Sequence, residues 1–216
     1  MSRPKNRGAL RRSKPRREPY DRVLIVCEGS KTEPNYLREL VAAYQLSSTN
    51  VEITGEGGSA PKSVVNLAID LFERDPDYDR VYCVFDKDGH VSYGEAVQRV
   101  HDKKLTRRSG KHKLGLAHFE AITSVPCFEY WVLLHYEDTT APVHRYADLL
   151  HRLRRAPGFE TYDKGARGLF ETTRGRLETA LTRADRANEA ARHAGTDNPS
   201  TQIPTLIRYL MQLRHR

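Results

Sequence analysis

The sequence predicts an α/β fold, a parallel β-sheet flanked by helices, followed by a helical C-terminal part. Two apolar runs, RVLIVC at residues 22–27 and RVYCVF at 80–85, have the length and composition of buried strands. Segments with helical periodicity and short connections separate them, which is typical of parallel strands joined by crossover helices. After about residue 126 the apolar side chains recur mostly at helical spacing.

The first half of the chain supplies the predicted sheet. A helix over 32–46 is predicted after the first strand, because Ser30 and Glu33 have capping-box spacing. A second strand over 51–54 follows, and Pro61 opens the next helix, which continues to residue 74. The third strand at 80–85 completes an alternation that places all three strands in one parallel sheet.

The second half is predicted to be mainly helical. A weak helix over 92–105 leads into a basic stretch, and residues 114–123 form a predicted fourth strand. The remaining predicted helices span 127–136, 143–155, 169–194 and 203–215. We divide the chain into a basic arm (1–17), which is predicted to be disordered, an α/β domain (18–140) and a helical extension packed on it (141–216).

The net charge of +8 is distributed unevenly over the 216 residues. Residues 1–17 contain eight Lys or Arg and no acidic residue, whereas the rest of the chain balances 28 basic against 28 acidic groups. The arm is either a solubilising tail or a contact for nucleic-acid phosphates. The apolar runs are only as long as strands and no secretory signal is recognisable, which predicts a cytoplasmic protein with no membrane association.

Three cysteines, Cys27, Cys83 and Cys127, lie far apart in the sequence without a C-x-x-C pair. This spacing argues against a disulfide framework and against a zinc site. We expect them to be buried small apolar residues.

Acidic residues follow two of the predicted strands. Glu28 comes directly after the first, and Asp86 and Asp88 come directly after the third. In a parallel sheet the carboxyl ends of the strands meet at one edge, so these carboxylates are expected to lie close together. Three adjacent carboxylates repel one another unless a cation compensates them, and oxygen ligands suit Mg²⁺ or Mn²⁺. The alternative for the Asp-x-Asp pair is ordinary turn chemistry.

Three segments of the chain resemble the RloB-like family: LIVCEGSKTEPNY at 24–36, VFDKDGH at 84–90 and SVPCFEYWVLLHY at 124–136. The NPST run at 198–201 and the basic N-terminus are also similar to that family. The resemblance spans nearly the whole chain, and the core of this family is similar to a Toprim domain.

The resemblance implies a set of metal ligands. A Toprim relationship places a glutamate after the first strand and an Asp-x-Asp after the third, which here are Glu28, Asp86 and Asp88. In overcoming-lysogenization Toprim nucleases a second acid follows the first glutamate, and Glu33 has a comparable position. Glu129 is a further candidate ligand in the first turn of an apolar helix. The helix dipole explains an acid at either of these two last positions equally well.

Positively charged residues are candidates for phosphate contacts, with solvated loop residues as the alternative. His90 is a candidate acid/base or metal partner, or else a polar loop residue. The candidate nucleic-acid contacts are Lys31, Lys87, Arg107, Arg108, Lys111 and Lys113.

RloB-like proteins are encoded beside ABC-type ATPases and are associated with abortive infection and restriction. The resemblance therefore implies a Mg²⁺- or Mn²⁺-dependent nuclease effector of antiphage defence that acts on RNA or DNA, with the ATPase as its partner. One alternative is a haloacid-dehalogenase-like phosphatase, in which Asp86 is the nucleophile and Asp88 the acid/base. That family carries the motif on its first strand and leaves Glu28 unexplained. The other alternative is a non-catalytic nucleic-acid-binding partner of the ATPase.

Overall fold

A computed structural model describes residues 21–46, 50–87 and 89–213. The basic arm (1–17) and Asp88 lie outside these ranges. In the described part of the chain, none of the helices combines the length and apolarity that crossing a membrane requires.

The strands of the described residues form one large sheet and one hairpin. In chain order they are β1 (Val23–Cys27), β2 (Val51–Thr54), β3 (Arg80–Asp86), β4 (Thr106–Ser109), β5 (His112–Leu116), β6 (His118–Val125) and β7 (Ser200–Thr201). The sheet has the order β2-β1-β3-β6-β7 and is parallel except for β7, which pairs antiparallel with the end of β6. Strands β4 and β5 form a separate antiparallel hairpin.

Helices cover both faces of the sheet. They are α1 (Thr32–Ala43), α2 (Pro61–Arg74), α3 (Tyr93–Asp102), α4 (Glu129–Leu133), α5 (Tyr146–Leu153), α6 (Leu169–Thr173), α7 (Leu177–His193) and α8 (Ile203–Leu213), with a 3₁₀ turn at Arg174–Arg176. The predicted fold class is confirmed: a mostly parallel sheet is flanked by helices and followed by a helical C-terminal region.

Two apolar cores lie on opposite sides of the sheet, because side chains alternate along each strand. Tyr82 and Val84 face the larger core, to which α1 and helices α4–α8 contribute. Cys83 and Phe85 face the smaller core, which is formed with α2 and α3. Strand β1 is buried at all five residues, as its uninterrupted apolar sequence predicts.

Some predicted boundaries are wrong. The fourth strand of the sheet is His118–Val125 rather than 114–123, because the chain first forms the hairpin around Gly110. The predicted helix 169–194 is divided by the Arg174–Arg176 turn. The C-terminal region also contributes β7 to the sheet, which its helical periodicity did not indicate.

The first helix starts at Thr32 as predicted, but its predicted cap is wrong and it ends at Ala43 rather than at residue 46. The N-cap is Lys31 instead of Ser30, and no side chain caps the helix. In place of the predicted helix 127–136, the structure has the shorter helix α4, which spans Glu129–Leu133. Its first residue is therefore the acid that the sequence singled out.

Candidate functional site

The first part of the site lies at the carboxyl edge of the sheet, where β1 and β3 are neighbours. The N–H of Glu28 donates to the carbonyl of Val84 (2.8 Å), which continues the ladder past the end of β1. The N–H of Asp86 donates to Oε2 of Glu28 at 3.0 Å, and Nε2 of His90 lies 3.4 Å from Oε1 of the same carboxylate. The structure therefore brings Glu28, Asp86 and His90 together.

Two more acids approach this edge from helices on the larger core. Glu33 lies in the first turn of α1, and Glu129 is the first residue of α4. Burial raises the pKa of Glu33 to about 7, and the charges of Glu129 and Glu28 act in the same direction. Burial also raises the pKa of Asp86 well above its ordinary value, with Glu33, Glu129 and Glu28 adding to the shift. We call these four residues, Glu28, Glu33, Asp86 and Glu129, the acidic centre.

A thiol lies beside the acidic centre. The Sγ of Cys127 and carboxylate oxygens of Asp86 and Glu129 all lie within 4.8 Å of one another. Cys127 and Glu129 are 2% and 1% exposed. Burial, followed by the charges of Glu129 and Asp86, raises the pKa of the Cys127 thiol well above its usual value. The hydroxyl of Tyr162 donates to Oε1 of Glu129 at 3.3 Å.

An open cleft of about 910 Å³ leads to the acidic centre. The cleft is lined by Glu28, Glu33, Asp86 and His90. The loop after β2 and a segment of the C-terminal region with Lys164 and Gly165 complete its wall. Because Asp86 lines the cleft and also adjoins Cys127 and Glu129, it connects the open and the buried parts of the site.

The segment at 164–165 is held against the start of α1. The N–H of Gly165 donates to Oγ1 of Thr32 at 2.9 Å. Gly165 has a φ of +87°, and a Cβ atom there would lie 2.7 Å from Cδ of Lys31, so the close approach requires glycine. The Lys31 side chain, a predicted phosphate contact, therefore packs at the wall of the cleft.

Lys164 supplies positive charge to the site. Burial alone would lower its pKa, but the charge of Glu129, with Cys127 and Asp86, holds the pKa above its ordinary value. Its Nζ also lies 4.6 Å from the centre of the Tyr146 ring. Lys164 and the position of Cys127 were not predictable from the sequence, since neither residue lies in a pattern that points to this edge of the sheet.

The other predicted phosphate contacts do not line the cleft. Nζ of Lys87 pairs with the carboxylate of Asp197, at 2.6 and 2.9 Å. Nη2 of Arg107 lies 2.6 Å from Oδ1 of Asp79 and its side chain is only 12% exposed, so it attaches the hairpin to the body of the protein.

The basic residues of the hairpin are far from the acidic centre. Arg108, Lys111 and Lys113 lie on or beside β4 and β5. The hairpin joins the body next to Asp79 and Pro76, at the amino end of β3, whereas Asp86 is at its carboxyl end. The seven residues of β3 span about 20 Å.

The donor set fits a divalent cation. Four carboxylates converge within the described residues, two of them with strongly raised pKa values, so a bound cation would relieve their repulsion. Carboxylate oxygens are the ligands of Mg²⁺ and Mn²⁺, while the neighbouring thiol adds a softer donor. Asp88, the remaining predicted ligand, lies outside the described residues.

The fold and the site together define an α/β protein with an acidic centre at the carboxyl edge of a parallel sheet. The chain belongs to the RloB-like family: the model of this family, described as RloB-like protein, matches residues 23–210. The match runs from β1 into α8 and includes every residue of the acidic centre. No curated protein and no solved structure matches the chain.

Proposed function

We propose that this protein is a divalent-metal-dependent nuclease with a Toprim-like core, the cytoplasmic effector of an antiphage system in which an ABC-type ATPase encoded nearby is its partner. The observation that carries the proposal is the convergence of Glu28, Glu33, Asp86 and Glu129 at the end of an open cleft. The family's association with ATPase loci supports the biological role.

The acidic centre would hold the metal through Glu28 and Asp86, with Glu33 or Glu129 nearby. The family resemblance implies Asp88 as a further ligand. A bound Mg²⁺ or Mn²⁺ supplies a Lewis acid for the phosphodiester and a water of lowered pKa. The carboxylate of Glu28 is held in place for this role, because its Oε2 accepts a hydrogen bond from the N–H of Asp86 and its Oε1 lies beside Nε2 of His90.

The chain's own residues provide proton transfer and charge. In the metal-free protein the pKa of the Glu33 carboxyl is about 7, so a cation that binds at the acidic centre would displace a proton from this carboxyl near neutral pH. His90 is placed to exchange a proton with Glu28. Lys164 and Lys31, at the wall of the cleft, would attract the phosphate oxygens and stabilise the negative charge of the transition state.

The experiment compares the wild-type protein with the variants Asp86→Asn and Glu28→Gln on plasmid DNA, single-stranded DNA and total tRNA. Each reaction contains Mg²⁺ or Mn²⁺, or EDTA, and is run with and without the neighbouring ATPase. We expect metal-dependent cleavage of at least one substrate that both substitutions reduce by 10²-fold or more, an order typical for loss of transition-state charge stabilisation.

The matched control is Asp70→Asn, which removes an exposed carboxylate on α2, far from the cleft, and should cleave as the wild type does. Hydrolysis of p-nitrophenyl phosphate that is lost with Asp86→Asn but kept with Glu28→Gln would instead show the phosphatase. Binding of nucleic acid without cleavage, even with the ATPase present, would contradict the proposal and favour the non-catalytic partner.

A further inference from the structure

A sulfur atom lies beside the carboxylate oxygens on one side of the acidic centre. The Sγ of Cys127, an oxygen of Asp86 and an oxygen of Glu129 lie within 4.8 Å of one another. These atoms come from three different places in the fold, the end of β3, the turn after β6 and the start of α4. Cys127 and Glu129 are two residues apart in the sequence, whereas Asp86 reaches them from β3, the neighbour of β6 in the sheet. The convergence of the three atoms therefore depends on the pairing of β3 with β6.

The spacing of the three atoms suits a single ion. Zinc–sulfur and zinc–oxygen bonds of about 2.0–2.3 Å place two tetrahedral ligands about 3.5 Å apart. Since the widest separation in the cluster is 4.8 Å or less, the side chains need to close by only about 1 Å. Cys127 and Glu129 are almost completely shielded from solvent, while Asp86 opens to the cleft.

Thiolate ligands select against hard cations. Mg²⁺ prefers oxygen ligands and keeps its waters, whereas zinc and ions of similar chemistry accept a thiolate together with carboxylates. Three protein ligands with a fourth position open to a cleft is also the ligand count of catalytic zinc sites.

We propose that Cys127 is a metal ligand and that Asp86, Cys127 and Glu129 bind a borderline divalent ion of the Zn²⁺ type in preference to Mg²⁺. The proposal deepens the proposed function, on which it rests for the presence of a metal at this centre. As the sulfur–metal bond forms, the S–H bond breaks and its proton leaves to solvent, so the thiolate is the ligand.

The test uses Co²⁺, a spectroscopic substitute for Zn²⁺, added to the metal-free full-length protein near pH 7.5. A cobalt–thiolate bond produces a sulfur-to-metal charge-transfer band in the near ultraviolet, which carboxylate ligation does not. We expect this band in the wild type and its loss in Cys127→Ser. The matched control is Cys83→Ser, which alters a cysteine that is equally buried but belongs to the smaller core on the other side of the sheet.

A second variant covers the case in which Cys127→Ser does not fold, as judged by circular dichroism. Glu129→Gln keeps the thiol and removes one carboxylate charge, and it should weaken Co²⁺ binding at least tenfold, with a smaller charge-transfer band at a fixed Co²⁺ concentration. Titration with Zn²⁺ should abolish the wild-type band, whereas a large excess of Mg²⁺ should leave it.

Several results would overturn the inference: no charge-transfer band in the wild type, a band that survives in Cys127→Ser, or equal loss of the band in Cys83→Ser. Ready displacement of Co²⁺ by Mg²⁺ would overturn the metal preference. Each of these results leaves the proposed nuclease standing if cleavage still depends on Mg²⁺ or Mn²⁺ and on Glu28, so the two proposals fail separately.

Discussion

The carboxyl of Glu33 combines burial with two neighbouring negative charges, and its protonation is therefore linked to folding. Its pKa is about 7 in the folded protein, compared with an ordinary value of 4.5. Between these pH values the folded chain keeps a proton that the unfolded chain has lost. The contribution of this residue to stability is complete below pH 4.5 and is lost as the pH rises through 7.

We therefore expect Glu33→Gln to be more stable than the wild type at pH 7.5, by about 1 kcal/mol after allowance for solvent screening, and to show no such gain near pH 4.5. Urea denaturation in EDTA at the two pH values measures the difference. Asp70→Asn, an exposed acid, is the control and should show no pH-dependent gain. An equal gain for Glu33→Gln at both pH values would show that the carboxyl is not held protonated.

At the scale of single residues, the sequence predicted the positions of those site residues that lie at the ends of strands. Glu28 and Asp86 could be placed side by side because each directly follows a strand of the same parallel sheet. Lys164 could not be placed, because its position depends on the path of the chain after α5 and on the contact between Gly165 and Thr32. A contact between residues this far apart in the sequence leaves no periodic pattern.

At the scale of elements, the hairpin of β4 and β5 stands apart from the sheet. All five residues of β5 are exposed, including Leu114 and Leu116. Arg108 lies directly opposite Lys113 in the ladder, and like charges in that position destabilise a strand pair. Within the described residues, no carboxylate pairs with the side chain of Arg108 or Lys113. A polyanion such as a nucleic-acid backbone would neutralise them.

We expect the triple variant Arg108→Ser, Lys111→Ser, Lys113→Ser to bind a 20-base-pair duplex at least about tenfold more weakly in EDTA at 0.1 M salt. The slope of log K against log salt should fall by about 2–3 units, since each phosphate contact contributes about 0.9. Fluorescence anisotropy with DNA and RNA duplexes measures both quantities. The matched control removes three exposed charges from the C-terminal region, Arg145, Arg155 and Arg192. Equal losses in the two triple variants would contradict a role for the hairpin.

The long apolar strands and the short strand β2 were predictable from the sequence, whereas β5 and β7 were not. Strands β1 and β3 are continuous apolar runs buried on both faces, so composition alone identifies them. The exposed strand β5 and the two-residue strand β7 are stabilised by pairing partners rather than by apolar composition. The predicted strand 114–123 merged the end of β5 with most of β6 for this reason.

At the scale of the whole molecule, the net charge is carried by residues 1–17, whereas the acidic centre belongs to the charge-balanced remainder of the chain. Deleting residues 1–17 removes eight Lys or Arg from a chain whose remaining charges balance. We expect the truncated protein to bind nucleic acid more weakly and with a lower salt slope, because fewer counterions are released. Under the proposed function, metal-dependent cleavage should be retained by the truncated protein when nucleic acid is saturating. Loss of cleavage on truncation would show that the arm belongs to the catalytic machinery.

The sheet separates the helices that carry Glu33 and Glu129 from the layer that supports the hairpin. Glu33 and Glu129 belong to helices on the larger core, whereas the chain enters the hairpin through Leu105, which packs in the smaller core. Substitutions in the layer of α2 and α3 can reshape the surface around the hairpin while the acids keep their positions. Under the proposed function, related proteins could diverge in the nucleic acids that they recognise and retain the same chemistry.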